Sequence, residues 1–245
     1  VYPCIPEKGS VGASGDLAPL AHLSLMLIGE GQVTAQGVKM SERECLASFV
    51  LSPRAVGPSD GLALRPRPQG STALALSGLF GAWRVFAAGL PARALSLEAI
   101  KGSVKPLDAR IHEARGQQGQ IRVAAALIDI LSGSEIVTSH ADCGRVQDPY
   151  SIRCVPQVMG ACLDNLHHAA RILRIEANAA SDNPLVFSEN GDAISGGNFH
   201  AEPVAFAADI LALSVAEIWA MSERRITLLL DPGLSGFPAF LVHVG

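Results

Sequence analysis

Apolar side chains recur at helical spacing along most of this 245-residue chain. The first such stretch begins after Asp16, a residue type that caps helices, and ends near Gly29. Further helices are predicted over residues 41–50, 71–88, 94–101, 120–132, 157–176 and 201–229. The pattern therefore predicts a mainly α-helical fold.

Two of these helices are amphipathic. In the helix over residues 71–88, the buried face should carry Leu76, Leu79, Phe80, Trp83 and Val85. In the helix over residues 157–176, the buried face should carry Val158, Cys162, Leu166, Ala169 and Leu173.

Two short stretches predict β-hairpins between the helices. Residues Gln32–Met40 place the Gly37 turn between two apolar runs. Residues Pro184–Ser195 contain Asn190-Gly191, which is the strongest short turn signal in the chain. Irregular segments are expected at residues 1–15, 52–70 and 133–150.

Composition excludes several classes of partner. Apolar residues make up 49% of the chain and charged residues 17%, which is enough apolar material for a sizeable core. The net charge of -4 gives no reason to expect a nucleic acid or an anionic membrane as partner. No apolar run looks long enough to span a bilayer.

The five cysteines are odd in number and contain no C-x-x-C pair. This argues against a disulfide framework or a zinc site and favours reduced thiols in the cytoplasm. The histidines show no spacing typical of metal ligands. The chain begins at Val1 without an initiator methionine or a signal peptide, so we expect a piece of a longer protein.

The loop Ala13-Ser14-Gly15 lies directly before the first helix. Taken alone, a Gly/Ser loop at a helix start indicates a tight turn or an anion site. A phosphate-binding module is disfavoured, because no Gly-Lys-Ser/Thr follows the loop and Lys8 is the only basic residue nearby.

Ala13-Ser14-Gly15, followed by Asp-Leu-Ala-Pro-Leu, resembles the signature of the aromatic amino-acid ammonia-lyases. Five further segments resemble the histidine-type members of that family, at residues 108–117, 146–154, 176–187, 195–203 and 222–225. The resemblance covers nearly the whole chain. It implies a long-helix bundle of the ammonia-lyase/fumarase-like type, with residues 1–245 as a single segment of the catalytic core, truncated at both ends.

The resemblance also implies a cofactor made from the chain itself. In the family, the glycine amide nitrogen (Gly15 here) attacks the alanine carbonyl carbon (Ala13 here) and the ring closes with loss of one water, after which Ser14 loses a second water. The product is the electrophile 4-methylidene-imidazol-5-one (MIO). The residue types suit this reaction, because Gly15 has no Cβ to obstruct ring closure and Ser14 carries a hydroxyl that can leave. No metal or soluble cofactor is implied.

Five other positions match residues of the family's active site. Arg153 would bind the substrate carboxylate with its guanidinium fork, and Tyr150 would lie near the electrophile and assist proton transfer. Gln147 matches a pocket glutamine, Asn183 a residue near the carboxylate, and Phe199 one that contacts the ring. The alternative roles are a surface ion pair for Arg153, a core contact for Tyr150 and a turn at Pro184 for Asn183.

The chain departs from the family in three places. Pro66 stands where the family has an asparagine that supports the electrophile, and proline offers neither a side-chain amide nor a backbone donor. The family's upstream tyrosine and histidine are absent, as are its downstream helices with their glutamate. This 245-residue piece is therefore expected to be inactive or impaired and prone to associate.

The resemblance implies conversion of L-histidine to trans-urocanate and ammonia, a step of histidine catabolism, by a cytoplasmic homotetramer. A tyrosine or phenylalanine ammonia-lyase, or an aminomutase with the same electrophile, is the first alternative. A non-catalytic, decayed helical paralogue is the second. Pro66 favours this paralogue, whereas the intact Ala13-Ser14-Gly15 argues against it.

Overall fold

The structure is a computed structural model that describes residues 1–9, 17–57, 69–141, 144 and 146–242, with only the backbone of Leu17. Its strands are β1 Tyr2–Pro3, β2 Gln32–Ala35, β3 Val38–Ser41, β4 Leu185–Phe187 and β5 Asp192–Ile194. Its helices are α1 Leu17–Leu25, α2 Glu42–Ser48, α3 Gln69–Ala99, α4 Ala109–Arg115, α5 Gln118–Ile130, α6 Glu135–Ser139, α7 Tyr150–Arg153, α8 Val155–Glu176, α9 Glu202–Leu230 and α10 Pro232–Ser235. The predicted mainly α class with small hairpins is confirmed.

The chain forms two compact units. One comprises Val1–Ser77 and Ile172–Phe206 and contains both sheets, so we call it the sheet unit. The other comprises Gly78–Arg171 and Ala207–Gly245, and we call it the helix unit. The expectation that residues 1–245 are one segment of a catalytic core concerns the whole protein and stays a prediction.

The sheet unit contains a three-stranded antiparallel sheet in the order β1-β2-β3. The β2–β3 hairpin pairs Ala35 with Val38 and turns at Gln36 and Gly37, which have φ angles of 49° and 81°. Two consecutive residues with positive φ match the twist of a hairpin, which confirms the predicted Gly37 turn. Strand β1 corrects the expectation that residues 1–15 are only loop.

Helix α2 begins directly after β3 with a capping box. The Glu44 N–H donates to Ser41 Oγ, and the Ser41 N–H donates to the Glu44 carboxylate. Each of these bonds satisfies a backbone donor at the helix start. The predicted helix at residues 41–50 is confirmed.

The β4–β5 hairpin pairs Leu185 with Ile194 and Phe187 with Asp192. Its turn contains Asn190 and Gly191, and Gly191 has a φ of 76°. The hairpin predicted at Pro184–Ser195 is therefore confirmed. Most of its side chains are exposed, so local turn chemistry rather than core packing defines it.

Helix α3 is longer than predicted. It continues through Pro91 to Ala99 and so includes most of the separately predicted helix at 94–101, although proline cannot donate the backbone hydrogen bond at its position. The buried stripe continues past Pro91 with Ala94 and Leu97, so apolar burial extends over both halves of the helix. Leu79 is buried as predicted, but Phe80 and Val85 are exposed, which contradicts their assignment to the buried face.

Helices α5 and α8 of the helix unit approach each other at two glycines. A Cβ on Gly119 would overlap Gly160, and a Cβ on Gly160 would overlap the backbone of Gln120. The Gly119 N–H donates to Asp164 Oδ2 at 3.1 Å, so a side chain of α8 caps the first turn of α5. In α8, the predicted face is buried at Cys162, Leu166, Ala169 and Leu173, whereas Val158 is half-buried.

Two other expectations need correction. The region 133–150 is not only loop, because it contains α6 and the first residue of α7. By length and composition alone, α3 and α9 could each cross a membrane, contrary to the expectation from the sequence. Length and composition do not establish a membrane span, because core helices of other proteins pass the same test.

Candidate active site

The predicted electrophile residues Ala13, Ser14 and Gly15 lie outside the described residues, as does Pro66. The described chain resumes with helix α1 at Leu17. The roles of these four positions therefore remain predictions from the sequence.

Three other predicted positions belong to one short segment of the helix unit, Gln147–Arg153, which we call the arginine segment. It contains exposed Gln147 and the single-turn helix α7. The Pro149 carbonyl accepts hydrogen bonds from the N–H groups of Ile152 and Arg153, at 3.0 and 3.2 Å. The turn places Tyr150 and Arg153 three residues apart, a spacing at which helical side chains meet.

Arg153 and Tyr150 are in contact. The guanidinium carbon of Arg153 lies 4.9 Å from the centroid of the Tyr150 ring, within the range of a cation–π interaction. Arg153 Nε is buried and has no hydrogen-bond partner, and no ion pair with Arg153 is present in the part of the chain that the structure describes. Tyr150 is 66% exposed, so it is not a core residue. The pair thus presents an uncompensated guanidinium beside an accessible phenol.

Asp148 anchors the arginine segment. This carboxylate is only 6% exposed, and its Oδ2 accepts a hydrogen bond from the Ser103 N–H at 2.6 Å. A Cβ on the neighbouring Gly102 would lie 3.1 Å from Leu97 Cγ, whereas its distance of 3.5 Å from Asp148 Oδ2 is an ordinary contact. The local sequence does not indicate this role for Asp148, because its hydrogen-bond partner Ser103 lies 45 residues away in the chain.

The segment that contains Ser103 is also contacted by His112, at the Pro106 carbonyl. This ring is 0% exposed, with Nε2 3.1 Å from the Pro106 carbonyl and Nδ1 2.8 Å from Gln120 Nε2. These partners assign the Nε2–H tautomer, because the carbonyl can only accept and the amide nitrogen can only donate. Burial lowers the pKa of His112, so the neutral form is favoured in the fold.

Cys154 follows Arg153 and is buried in the helix unit. Burial raises the pKa of its thiol, while the nearby Arg153 and Arg93 charges lower it by less. The neutral thiol is thus favoured, and Cys154 supplies no negative charge to pair with Arg153.

The remaining predicted positions, Asn183 and Phe199, belong to the sheet unit, in the loop around the β4–β5 hairpin. Asn183 Oδ1 accepts hydrogen bonds from Ser195 Oγ at 3.0 Å and from the Gly196 N–H at 2.8 Å. We call residues 183–198 the asparagine loop. Its far end is tied by Asn198, whose Nδ2 donates to the Ala180 carbonyl at 3.2 Å. Phe199 follows and is half-buried.

The structure shows the turn role of Asn183, and its role near the substrate carboxylate stays a prediction. Its oxygen closes the base of the hairpin, which is the turn role. Its Nδ2 has no hydrogen-bond partner among the described residues, so this donor stays available for a carboxylate.

The whole chain, residues 1–245, matches the family model of the aromatic amino acid lyases, and the chain therefore belongs to that family. It is 70% identical over 243 residues to a histidine ammonia-lyase of Paracidovorax citrulli, covering 99% of this chain and 48% of that protein. The chain spans about half the length of the curated relatives it matches.

Two solved structures are similar to this chain over almost its full length. The histidine ammonia-lyase of Trypanosoma cruzi is 38% identical with a TM-score of 0.84, covering 98% of this chain and 45% of that one. A tyrosine aminomutase of Streptomyces globisporus is 35% identical with a TM-score of 0.87, covering 99% of this chain and 49% of that one. The predicted lyase fold is confirmed.

Proposed function

We propose that the whole protein to which this chain belongs eliminates ammonia from L-histidine to give trans-urocanate. The 70% identity to a protein named histidine ammonia-lyase, extending over 99% of the chain, carries this proposal. The guanidinium of Arg153 supports it, because it has no ion pair among the described residues and the substrate of any amino-acid lyase brings a carboxylate.

Within this proposal, Arg153 binds the substrate carboxylate. A guanidinium without an internal acid partner pairs with an incoming anion without first breaking an ion pair. The ring of Tyr150 lies against the guanidinium and limits its movement. Within the proposal, the Tyr150 hydroxyl assists proton transfer at the substrate. Gln147 and the Asn183 amide contribute further polar contacts, and Phe199 contacts the imidazole ring of the substrate.

The electrophile belongs to the proposal as well. Ala13, Ser14 and Gly15 would form MIO, and its exocyclic methylene would capture the substrate and make ammonia a better leaving group. The chemistry of the tripeptide fits this role, because it combines a leaving hydroxyl with an unobstructed glycine amide. Pro66 removes the amide that supports this group in relatives, so we expect slower ring closure than in a protein with asparagine there.

We also propose a homotetramer in the cytoplasm, with no metal ion, as the active form. The described cysteines Cys4, Cys45, Cys154 and Cys162 are free thiols, which fits a reducing compartment. The isolated 245-residue chain should turn over poorly, because it spans about half of its relatives.

The second candidate reaction uses tyrosine or phenylalanine, by elimination or by amine migration. The similarity to a tyrosine aminomutase favours keeping this candidate, at 35% identity against 70% for the histidine-type relative.

Kinetic comparison of the three amino acids on the full-length protein tests the proposal. We expect kcat/KM to be highest for L-histidine, with urocanate and ammonia formed in equal amounts. Preference for tyrosine or phenylalanine would replace the proposal by the second candidate. No turnover of any of the three would favour a decayed paralogue, and resequencing residues 60–72 would then show whether Pro66 is genuine.

A further inference from the structure

The sheet unit contains a cavity of about 300 Å³ that the proposed lyase reaction does not use. Its apolar wall is formed by Leu27, Cys45, Leu46, Phe49 and Leu51. A cavity of this size and lining is at the lower end of those that bind small molecules.

The wall is held in place by backbone hydrogen bonds. The Leu51 N–H donates to the Leu46 carbonyl at 2.9 Å, and the Arg54 N–H donates to the Leu27 carbonyl at 2.8 Å. Gly29 lies close beneath Pro53, where a Cβ would approach the proline ring to 2.7 Å. The chain from α2 to Arg54 therefore packs directly on the turn Met26–Ile28 and Gly29 that follow α1, and it forms one side of the cavity.

One buried carboxylate lines this apolar cavity. Glu42 is only 2% exposed, and its Oε2 has no hydrogen-bond partner in the described chain. Burial raises the pKa of this carboxyl group. An unsatisfied buried acceptor is costly in a fold, so a turn of the Glu42 side chain that brings this oxygen to a donor in the cavity would be favourable.

We propose that this cavity binds a small primary ammonium compound with an apolar tail, with Glu42 accepting hydrogen bonds from the ammonium group. The apolar wall would surround a branched alkyl or phenyl tail. Exposed Arg54 also lines the cavity, so the ligand can be a simple amine or an apolar α-amino acid whose carboxylate reaches this guanidinium. The site lies entirely within the sheet unit and does not depend on lyase activity.

The test is a titration of the 245-residue chain with 3-methylbutylamine, in which binding is measured from the backbone amide chemical shifts in heteronuclear NMR spectra. We expect saturable shifts at Gly31, Cys45 and Leu51, with a Kd of about 0.1–1 mM for so small a ligand. The neutral isostere 3-methylbutanol should bind at least about tenfold more weakly, which corresponds to about 1.4 kcal/mol. L-leucine binding more tightly than the amine would identify the amino-acid source, and weaker binding would identify the simple amine.

Two variants make the test specific. Glu42→Gln should weaken amine binding by about tenfold or more, because it removes the carboxylate that accepts from the ammonium group. The chain should remain folded, because an amide is less costly to bury than a carboxylate. The matched control is Glu189→Gln, an exposed carboxylate in the β4–β5 turn of the same unit, which should leave the Kd unchanged. Val1 also lines the cavity, and its α-amino group could itself approach Glu42. Repeating the titration on the full-length protein, in which Val1 has no free ammonium group, should give the same shifts.

Three results would overturn the proposal. The first is the absence of saturable shifts with both 3-methylbutylamine and L-leucine. The second is equal affinity of Glu42→Gln and the unmodified chain for the amine. The third is the loss of binding in the full-length protein.

Discussion

The arginine segment and the asparagine loop both carry residues proposed to contact the substrate, but they are held in different ways. The arginine segment is fixed by a buried carboxylate, Asp148, which accepts a backbone hydrogen bond from Ser103. The asparagine loop is fixed by the side-chain amides of Asn183 and Asn198, in exposed hydrogen bonds that water can replace. Losing a buried partner leaves an unsatisfied group, whereas losing an exposed one does not.

This difference suggests different roles for the two segments in substrate binding. A guanidinium that binds a carboxylate has to be held in one geometry, and a buried anchor next to it provides that. An exposed loop can adjust to the substrate ring. We therefore expect the arginine segment to be sensitive to substitution and the asparagine loop to be tolerant.

The largest effect is expected at Arg153. In the full-length protein, Arg153→Lys should lower kcat/KM for L-histidine by about 100-fold, because a point charge replaces the bidentate fork. Arg110→Lys is the matched control, since Arg110 is an exposed arginine of the helix unit paired with Asp108. It should leave kcat/KM unchanged. Equal kinetics for the two variants would remove Arg153 from the substrate site.

The second effect is on stability at Asp148. Asp148→Ala should lower the free energy of unfolding by about 2–3 kcal/mol, because it leaves a polar backbone donor without its partner. Urea denaturation of the 245-residue chain measures this. Asp192→Ala in the exposed hairpin should change the same quantity by less than about 0.5 kcal/mol. A loss at Asp148 no larger than at Asp192 would contradict the buried anchor.

The third effect is a pH dependence of stability, which should be seen near the arginine segment and not in the asparagine loop. The folded pKa of His112 is lowered, so its contribution to stability is present above the unfolded value of about 6.5 and is lost as pH falls through the folded pKa. Between the unfolded and the folded pKa the slope is at most about 1.4 kcal/mol per pH unit, and it levels off below the folded pKa because both states are then protonated. Unfolding measured from pH 7.5 to pH 5 should show this slope.

Replacing His112 isolates its contribution to the pH dependence of stability. His112→Gln removes the titrating group and should flatten the slope, although it lowers stability overall. Hydrogen exchange at acidic pH should accelerate around Ser103 and Pro106 before it accelerates in the asparagine loop. An unchanged slope in His112→Gln would show that other groups cause the pH dependence.

The smallest effect is expected at Asn198. Asn198→Ala removes one exposed hydrogen bond to the Ala180 carbonyl and should lower the free energy of unfolding by about 0.5–1 kcal/mol. Thermal and urea unfolding measure the change, with Asn178→Ala as a control at another exposed side-chain-to-backbone bond. A loss of stability in Asn198→Ala as large as that in Asp148→Ala would contradict the difference in anchoring between the arginine segment and the asparagine loop.

The sequence predicted those elements whose signals are local. The Asn190-Gly191 turn and the Ser41–Glu44 capping box depend only on neighbouring residues, and both hairpins and the α2 helix were predicted correctly. The continuation of α3 through Pro91 was missed, because packing beyond the proline outweighs a local helix-breaking signal.

The same reasoning applies to the site. The family signature indicated Arg153 and Tyr150, and the structure shows their contact. Asp148 was not predicted as an anchor, because its partner Ser103 lies far away in the chain and a loop carboxylate is usually exposed. Residues that take part in a reaction can be recognised in a sequence by their type and spacing. Residues that position them are identified only from tertiary contacts in the structure.

The most direct measurement of the central claim is the intact mass of the full-length protein, before and after borohydride reduction. A mass lower by two water molecules, located at Ala13–Gly15 by peptide mapping and followed by hydride addition at the same peptide, is the predicted result. It would show that the chain makes its own electrophile despite Pro66. An unmodified mass at this peptide would contradict the proposed lyase chemistry and leave the family relationship as ancestry alone.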